Sequence, residues 1–189
     1  RYSAFGDCEL YIRATAANFS IFQKGNYLER SDDDMVCRIE SIELDTDAEN
    51  GDYLIVTGYD VRKILNQRII RDTIAFDGTA ENFVRKMITA NVTNPSVAAR
   101  KIAEITLGVS NGFTDPWEEQ VTFDRVFDKI EGVCQTLGWG SRMTLGGDGK
   151  FVFNLYRGLD RSYDQNENDF VVFSPEFDNI SSSKFVSNS

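Results

Sequence analysis

Apolar positions along the chain change period several times, marking strands first, then helices, then strands again. Cys8-Glu9-Leu10-Tyr11-Ile12 and Tyr27-Leu28-Glu29-Arg30 alternate with a period of two, which predicts half-buried strands. The run Ser31-Asp32-Asp33-Asp34 reads as the turn after the second. Between Met35 and Asp45 the apolar parity flips, with Cys37 and Ile39 on one face and Ile42 and Leu44 on the other. A flip of this kind predicts a β-bulge near Ser41. Asn50-Gly51, both tolerant of positive φ, predicts a hairpin turn between Ile42-Glu43-Leu44 and Tyr53-Leu54-Ile55-Val56.

Further along, the spacing lengthens to three and four. Val61 to Arg68 reads as a short helix with Val61, Ile64 and Leu65 on one face, and Thr73 to Phe76 as a strand. A longer helix begins at Thr79, whose hydroxyl suits an N-cap, and carries the stripe Phe83, Val84, Met87, Ile88 and Val92 before Asn94-Pro95 ends it. Ser96 to Glu119 follows no single period. The clearest helix runs from Thr122 to Leu137: Phe123, Val126, Phe127, Ile130, Val133, Cys134 and Leu137 recur at steps of three and four, with Thr122 as cap and Gly138 as terminator. Strands then return at Ser141 to Leu145 and Phe151 to Tyr156, joined by a Gly146-Gly147-Asp148-Gly149 turn, and at Phe170-Val171-Val172-Phe173. Ser181 to Ser189 is polar and carries no folding signal.

A chain of 189 residues, 41% hydrophobic and with 14 Phe, has enough apolar material for a packed core. Its 20 Lys and Arg against 30 Asp and Glu give a net charge of -10, which repels phosphate backbones and anionic lipid. Nucleic acid is therefore not an expected partner, and no apolar run approaches membrane-spanning length. Cys8, Cys37 and Cys134 form no CxxC pair and sit in apolar patterns, as small hydrophobes do. With no His, the commonest metal ligand and neutral-pH base is missing.

Candidate chemistry is sparse. Asp45-Thr46-Asp47-Ala48-Glu49-Asn50-Gly51 alternates oxygen ligands, but the position that needs Gly in a calcium loop holds Asn50 and the position that needs Glu holds Val56. Asp164 to Asp169 fails likewise, with Asp169 and Pro175 at those positions. Asp32-Asp33-Asp34 could supply carboxylates for glycoside hydrolysis, although adjacent residues suit a charged turn better. Gly146-Gly147-Asp148-Gly149 lacks the Lys-Ser/Thr of a phosphate loop. Trp117, Trp139, Tyr156 and Tyr163 could form a sugar-stacking platform, which keeps host glycan as a possible ligand. No residue of the sequence is expected to act in catalysis or to hold a metal or cofactor.

Five stretches, taken in order, resemble a siphovirus tail protein family typified by gene product thirty-seven of a ReqiPepy-type phage. They are Tyr2 to Ile12, Gly58-Tyr59-Asp60 leading into Ile64 to Ile69, Gly78 to Phe83, Phe151 through Tyr156 to Ser162, and Val172 to Asn179. Each motif alone is common; their colinearity carries the resemblance. Ser162 stands where Thr is expected after Asp-Arg. The resemblance implies a tail-tip or baseplate structural role akin to hub proteins that join the tail tube to host-binding parts. Its other implications are threefold self-association, contact with other tail proteins, a place in the virion tail after assembly in the host cytoplasm, and no catalytic residues. The chain opens at Arg1 without Met, so it reads as starting inside a longer protein, with further β-structure expected beyond both ends.

The expected fold is α+β and β-rich, with split-barrel-like strand regions and two main helices. The expected division is a β region over 1–60, a helix-containing region over 61–138, and C-terminal strands over 139–189 that pack back on the first. Function is expected to be that of a non-enzymatic tail component. The alternatives are a glycan-binding module of the same apparatus and a carboxylate-based cell-wall hydrolase.

Overall fold

Four antiparallel strands open the fold: β1 (Asp7–Arg13), β2 (Tyr27–Arg30), β3 (Asp33–Asp47) and β4 (Gly51–Asp60), ordered β1-β4-β3-β2 and curled into a half-barrel. The computed structural model describes residues 4–31, 33–49, 51–180 and 182. Tyr2, Ser3, Asp32, Asn50, Ser181 and 183–189, on which parts of the sequence reading fall, lie outside the described residues. The bulge lies where the parity flip predicts it. Ile39 faces Gly58 and Ser41 faces Thr57, so Glu40 is the extra residue. Side chains on both sides of it thereby reach one small core, where Ile39, Leu54 and Val56 are buried and Leu10, Ile12, Leu28 and Ile42 pack around them. Gly58 is obligatory there, since a Cβ would lie 2.3 Å from the Arg38 carbonyl oxygen. A short helix, α1 (Ala16–Ile21), capped by the Thr15 hydroxyl, was not legible in the sequence.

The second core gathers around two main helices. After β4, α2 spans only Lys63–Asn66, and β5 (Ile74–Thr79) leads into α3 (Ala80–Ile88). The Thr79 hydroxyl accepts the Asn82 amide as its N-cap. A π turn over Thr89–Thr93 continues α3, burying Val92 in line with Met87 and Ile88. The aperiodic stretch holds two further strands, β6 (Ile105–Leu107) and β7 (Pro116–Val121), and β7 pairs antiparallel with β5.

The last main helix, α4, runs over Val126–Leu137 rather than from Thr122, and no side chain caps it. Backbone pairing decides the difference. The Phe123 amide donates to the Ile70 oxygen, Ile70 donates to Asp124, and Val126 donates to Arg68, so these groups are committed to a short bridge rather than to a first helical turn. Phe123 consequently leaves the predicted stripe: it has φ 57° and is 75% exposed. Phe127, Ile130, Val133 and Cys134 are buried as their spacing demands, and Gly138 ends the helix at φ 65°.

A hairpin of β8 (Trp139–Leu145) and β9 (Phe151–Arg157) follows, and β6 adds parallel to β9. Residues 1–157 form one unit and 158–189 another. The second unit holds no strand among its described residues, which corrects the expectation for Phe170-Val171-Val172-Phe173. Several of its backbone groups are taken by side chains: Gln165 accepts the amides of Glu167 and Asn168, while Asn179 donates to the Val172 oxygen and accepts the Ser174 amide. The fold is α+β and β-rich.

Candidate functional site

Asp60 ends β4 and Arg62 follows two residues later, and the chain folds them into one buried pair. The Asp60 carboxylate accepts the Arg62 backbone amide at 2.8 Å, the Nε at 2.8 Å and Nη2 at 2.5 Å. The remaining guanidinium donors cross to other elements: Nη1 to the main-chain oxygen and Oγ of Ser141 in β8, and Nη2 to the Ala4 oxygen. A buried charge needs this saturation, because an uncompensated one costs several kcal/mol. The pair forms the floor of an open polar cleft of about 1230 Å³, lined also by Glu29, Asp33, Asp34, Arg142 and Tyr156.

Of the Asp32-Asp33-Asp34 run, Asp33 and Asp34 both line this cleft, and each carboxylate already has a partner. Asp33 accepts the Met35 amide, and Asp34 binds Arg142 at 2.7 Å. Both residues lie in β3, so the expected turn over Ser31 to Asp34 gives way to the strand at Asp33. Of the second run, Asp45 to Asp47 end β3 and Gly51 opens β4, all four exposed at the end of the hairpin. At Gly146 to Gly149 the turn is closed by the Gly146 amide on the Lys150 oxygen, and Asp148 accepts the Lys150 amide. That amide holds the exposed Asp148 carboxyl below its usual range.

The aromatic candidates scatter. Trp139 is buried, its ring 4.7 Å from that of Phe113, and Trp117 packs 6.0 Å from Phe83 with its Nε1 donating to Glu119. Tyr156 lines the cleft and Tyr163, in the second unit, is 83% exposed. Cys134 and Cys37 are buried thiols. Burial pushes Cys134 up to about 12, and burial, reinforced by the Cys8 thiol, raises Cys37 further. Neither is a nucleophile at neutral pH. Among the described residues no three of His, Cys, Asp and Glu are grouped to hold a metal ion.

One buried carboxylate escaped the sequence reading. Glu81, in the first turn of α3, accepts the amides of Asn111 at 2.7 Å and Phe113 at 2.8 Å. Burial by itself would raise its pKa; the two amides, the Ser110 hydroxyl and the Arg85 charge outweigh burial and lower it. The signal was present, because Glu81 lies three and seven residues before Val84 and Ile88, inside the apolar stripe. It clamps the loop between β6 and β7. Arg62 carried no comparable signal, since its partner Ser141 is 79 residues away.

A family model described as Siphovirus ReqiPepy6 Gp37-like protein matches residues 1–189. No curated protein matches the chain. Among solved structures, prophage tail protein gp18 from Listeria monocytogenes EGD-e is similar at a TM-score of 0.50 and 10% identity, over 80% of this chain and 41% of that one. The E. coli c3393 protein, a type VI secretion component, gives 0.45 at 11% identity, over 82% and 42%. The tail protein from Neisseria meningitidis MC58 gives 0.38 at 15% identity, over 63% and 33%. The chain thus spans about two fifths or less of the length of these solved proteins.

Proposed function

The chain belongs to the Siphovirus ReqiPepy6 Gp37-like family, and on that premise we propose that it is a non-enzymatic structural component of a phage or prophage tail. The observation that carries this is the family match over residues 1–189, and the fold shared with a Listeria prophage tail protein supports it. More finely, we place it at the tail tip or baseplate hub, joining the tail tube to host-binding parts, with other tail proteins and further copies of itself as partners and a trimer as the assembly. The saturated Asp60–Arg62–Ser141 network fits such a role. Its groups are spent on holding β4, the start of α2 and β8 together, which suits transmission of load rather than turnover.

Particle composition tests the reading. Purified particles carrying this gene should contain the protein, antibodies against it should label one end of the tail by electron microscopy, and a deletion should give tails that lack a tip. Intact, infectious particles free of the protein would overturn the tail assignment; labelling along the tube would overturn the hub.

A further inference from the structure

Three segments distant in sequence meet on one face of the first unit. Ile69 and Arg125 form a β-bridge, the Phe123 amide donates to Ile70, and Arg100 reaches across to donate from Nη2 to the Ile69 oxygen. These contacts join the three segments that carry Arg68, Arg71, Arg100, Lys101 and Arg125, and Ile69, Val97 and Phe123 on the same segments are exposed. Among the described residues none of the five cations meets a carboxylate, and Arg71, Lys101 and Arg125 are exposed. Of the two acids adjacent to them in sequence, Asp124 pairs with Lys129 and Asp72 accepts the Ser96 hydroxyl.

Phe123 stands exposed two residues before Arg125. A non-glycine residue at φ 57° is strained, and here the strain holds a large aromatic ring in water rather than in the core. An exposed aromatic on segments whose cations meet no carboxylate has the make-up of an interface anchor.

The charge balance indicates the occupant. With these five cations set aside, 15 Lys and Arg face 30 Asp and Glu over the rest of the chain, so another copy is itself a strongly acidic partner. Its β3–β4 hairpin end offers Glu43, Asp45, Glu49 and Asp52 exposed beside Leu44, which is 52% exposed. This hairpin end lies at the Gly51 end of β4, and the segment that carries the cationic face leaves from the Asp60 end, about 30 Å along the strand. A chain has difficulty satisfying both faces internally, and two copies can meet head to tail. Contacts of that type close into rings when the rotation allows.

We propose that the Ile69–Phe123–Arg125 face is a self-association surface that receives the acidic β3–β4 hairpin of a second copy. This rests on the reading of the chain as a self-associating tail component. Sedimentation velocity over a concentration series tests it. The chain should associate at about 50 mM salt and more weakly at about 500 mM, because exposed charge pairs are screened. Arg125→Glu and Asp45→Arg should each weaken association about tenfold or more, and an equimolar mixture of the two should restore it, since each supplies the sign the other lacks. Phe123→Gly should weaken association without lowering the melting temperature, because glycine accepts the φ that strains phenylalanine. A wild-type chain that stays monomeric would overturn both this and the self-associating reading. Variants that associate as the wild type does, or a mixture that restores nothing, would overturn this surface alone and leave self-association standing.

Discussion

Arg62, two residues beyond β4, donates through Nη1 to the main-chain oxygen of Ser141 in β8, 79 residues along the chain. The same guanidinium holds Asp60 at 2.8 Å and reaches Ala4. One side chain therefore joins the first sheet, the segment before β1 and the last hairpin.

Arg62→Met should cost about 3 to 5 kcal/mol, because it leaves the Asp60 carboxylate buried without its countercharge. Asp60→Asn combined with Arg62→Met should cost clearly less than the sum of the single changes. A double-mutant cycle from urea denaturation measures this, and strict additivity would show that the two do not act as a pair.

Phe127→Ala should cost about 3 to 5 kcal/mol, as aromatic truncation in a packed core does. Phe127 is 1% exposed and its ring lies 5.2 Å from that of Phe5, edge to face. A loss below about 1 kcal/mol in the same denaturation assay would place it outside the core. Phe123→Ala, four residues earlier, should change stability by about 0.5 kcal/mol or less.

Gly58→Ala should be more disruptive than its size suggests. The added Cβ would lie 2.3 Å from the Arg38 oxygen and 3.3 Å from Cys8 Sγ, so the β3–β4 pairing beside the bulge would have to open. Thermal melting should show a loss of at least about 2 kcal/mol. Gly147→Ala, where nothing lies within 4 Å, is the control and should change little.

Glu81 predicts a pH dependence of definite sign. Its pKa is lowered in the folded state from 4.5, so its contribution is complete above that value and is lost as pH falls through the folded pKa. Glu81→Ala should cost roughly 2 to 5 kcal/mol at neutral pH by leaving two amides without acceptors. The gap between wild type and Glu81→Gln should shrink on acidification below about pH 4.5. A gap constant across that range in urea titrations would show that the carboxylate charge does not hold the loop.

Local periodicity by itself determined the bulge beside Ser41, the buried stripes of α3 and α4, the Thr79 cap and the Gly138 terminator. Each reports burial or capping within one or two turns of chain, and one sequence window contains both cause and effect. Phe123 matched the three-and-four spacing and still turned outward, because the Arg68 to Ile70 segment, more than 50 residues earlier, claims the backbone around it. Phe170 to Phe173 had strand composition, but in its unit Asn179 takes backbone groups that a ladder would have used. The contacts of Arg62 with Ser141, Glu81 with Phe113, Arg100 with Ile69 and Phe123 with Ile70 joined residues that no local pattern links. Only the tertiary structure could decide these, because a hydrogen bond or a field depends on distance in space, and residues 30 to 79 positions apart acquire one only when the chain closes.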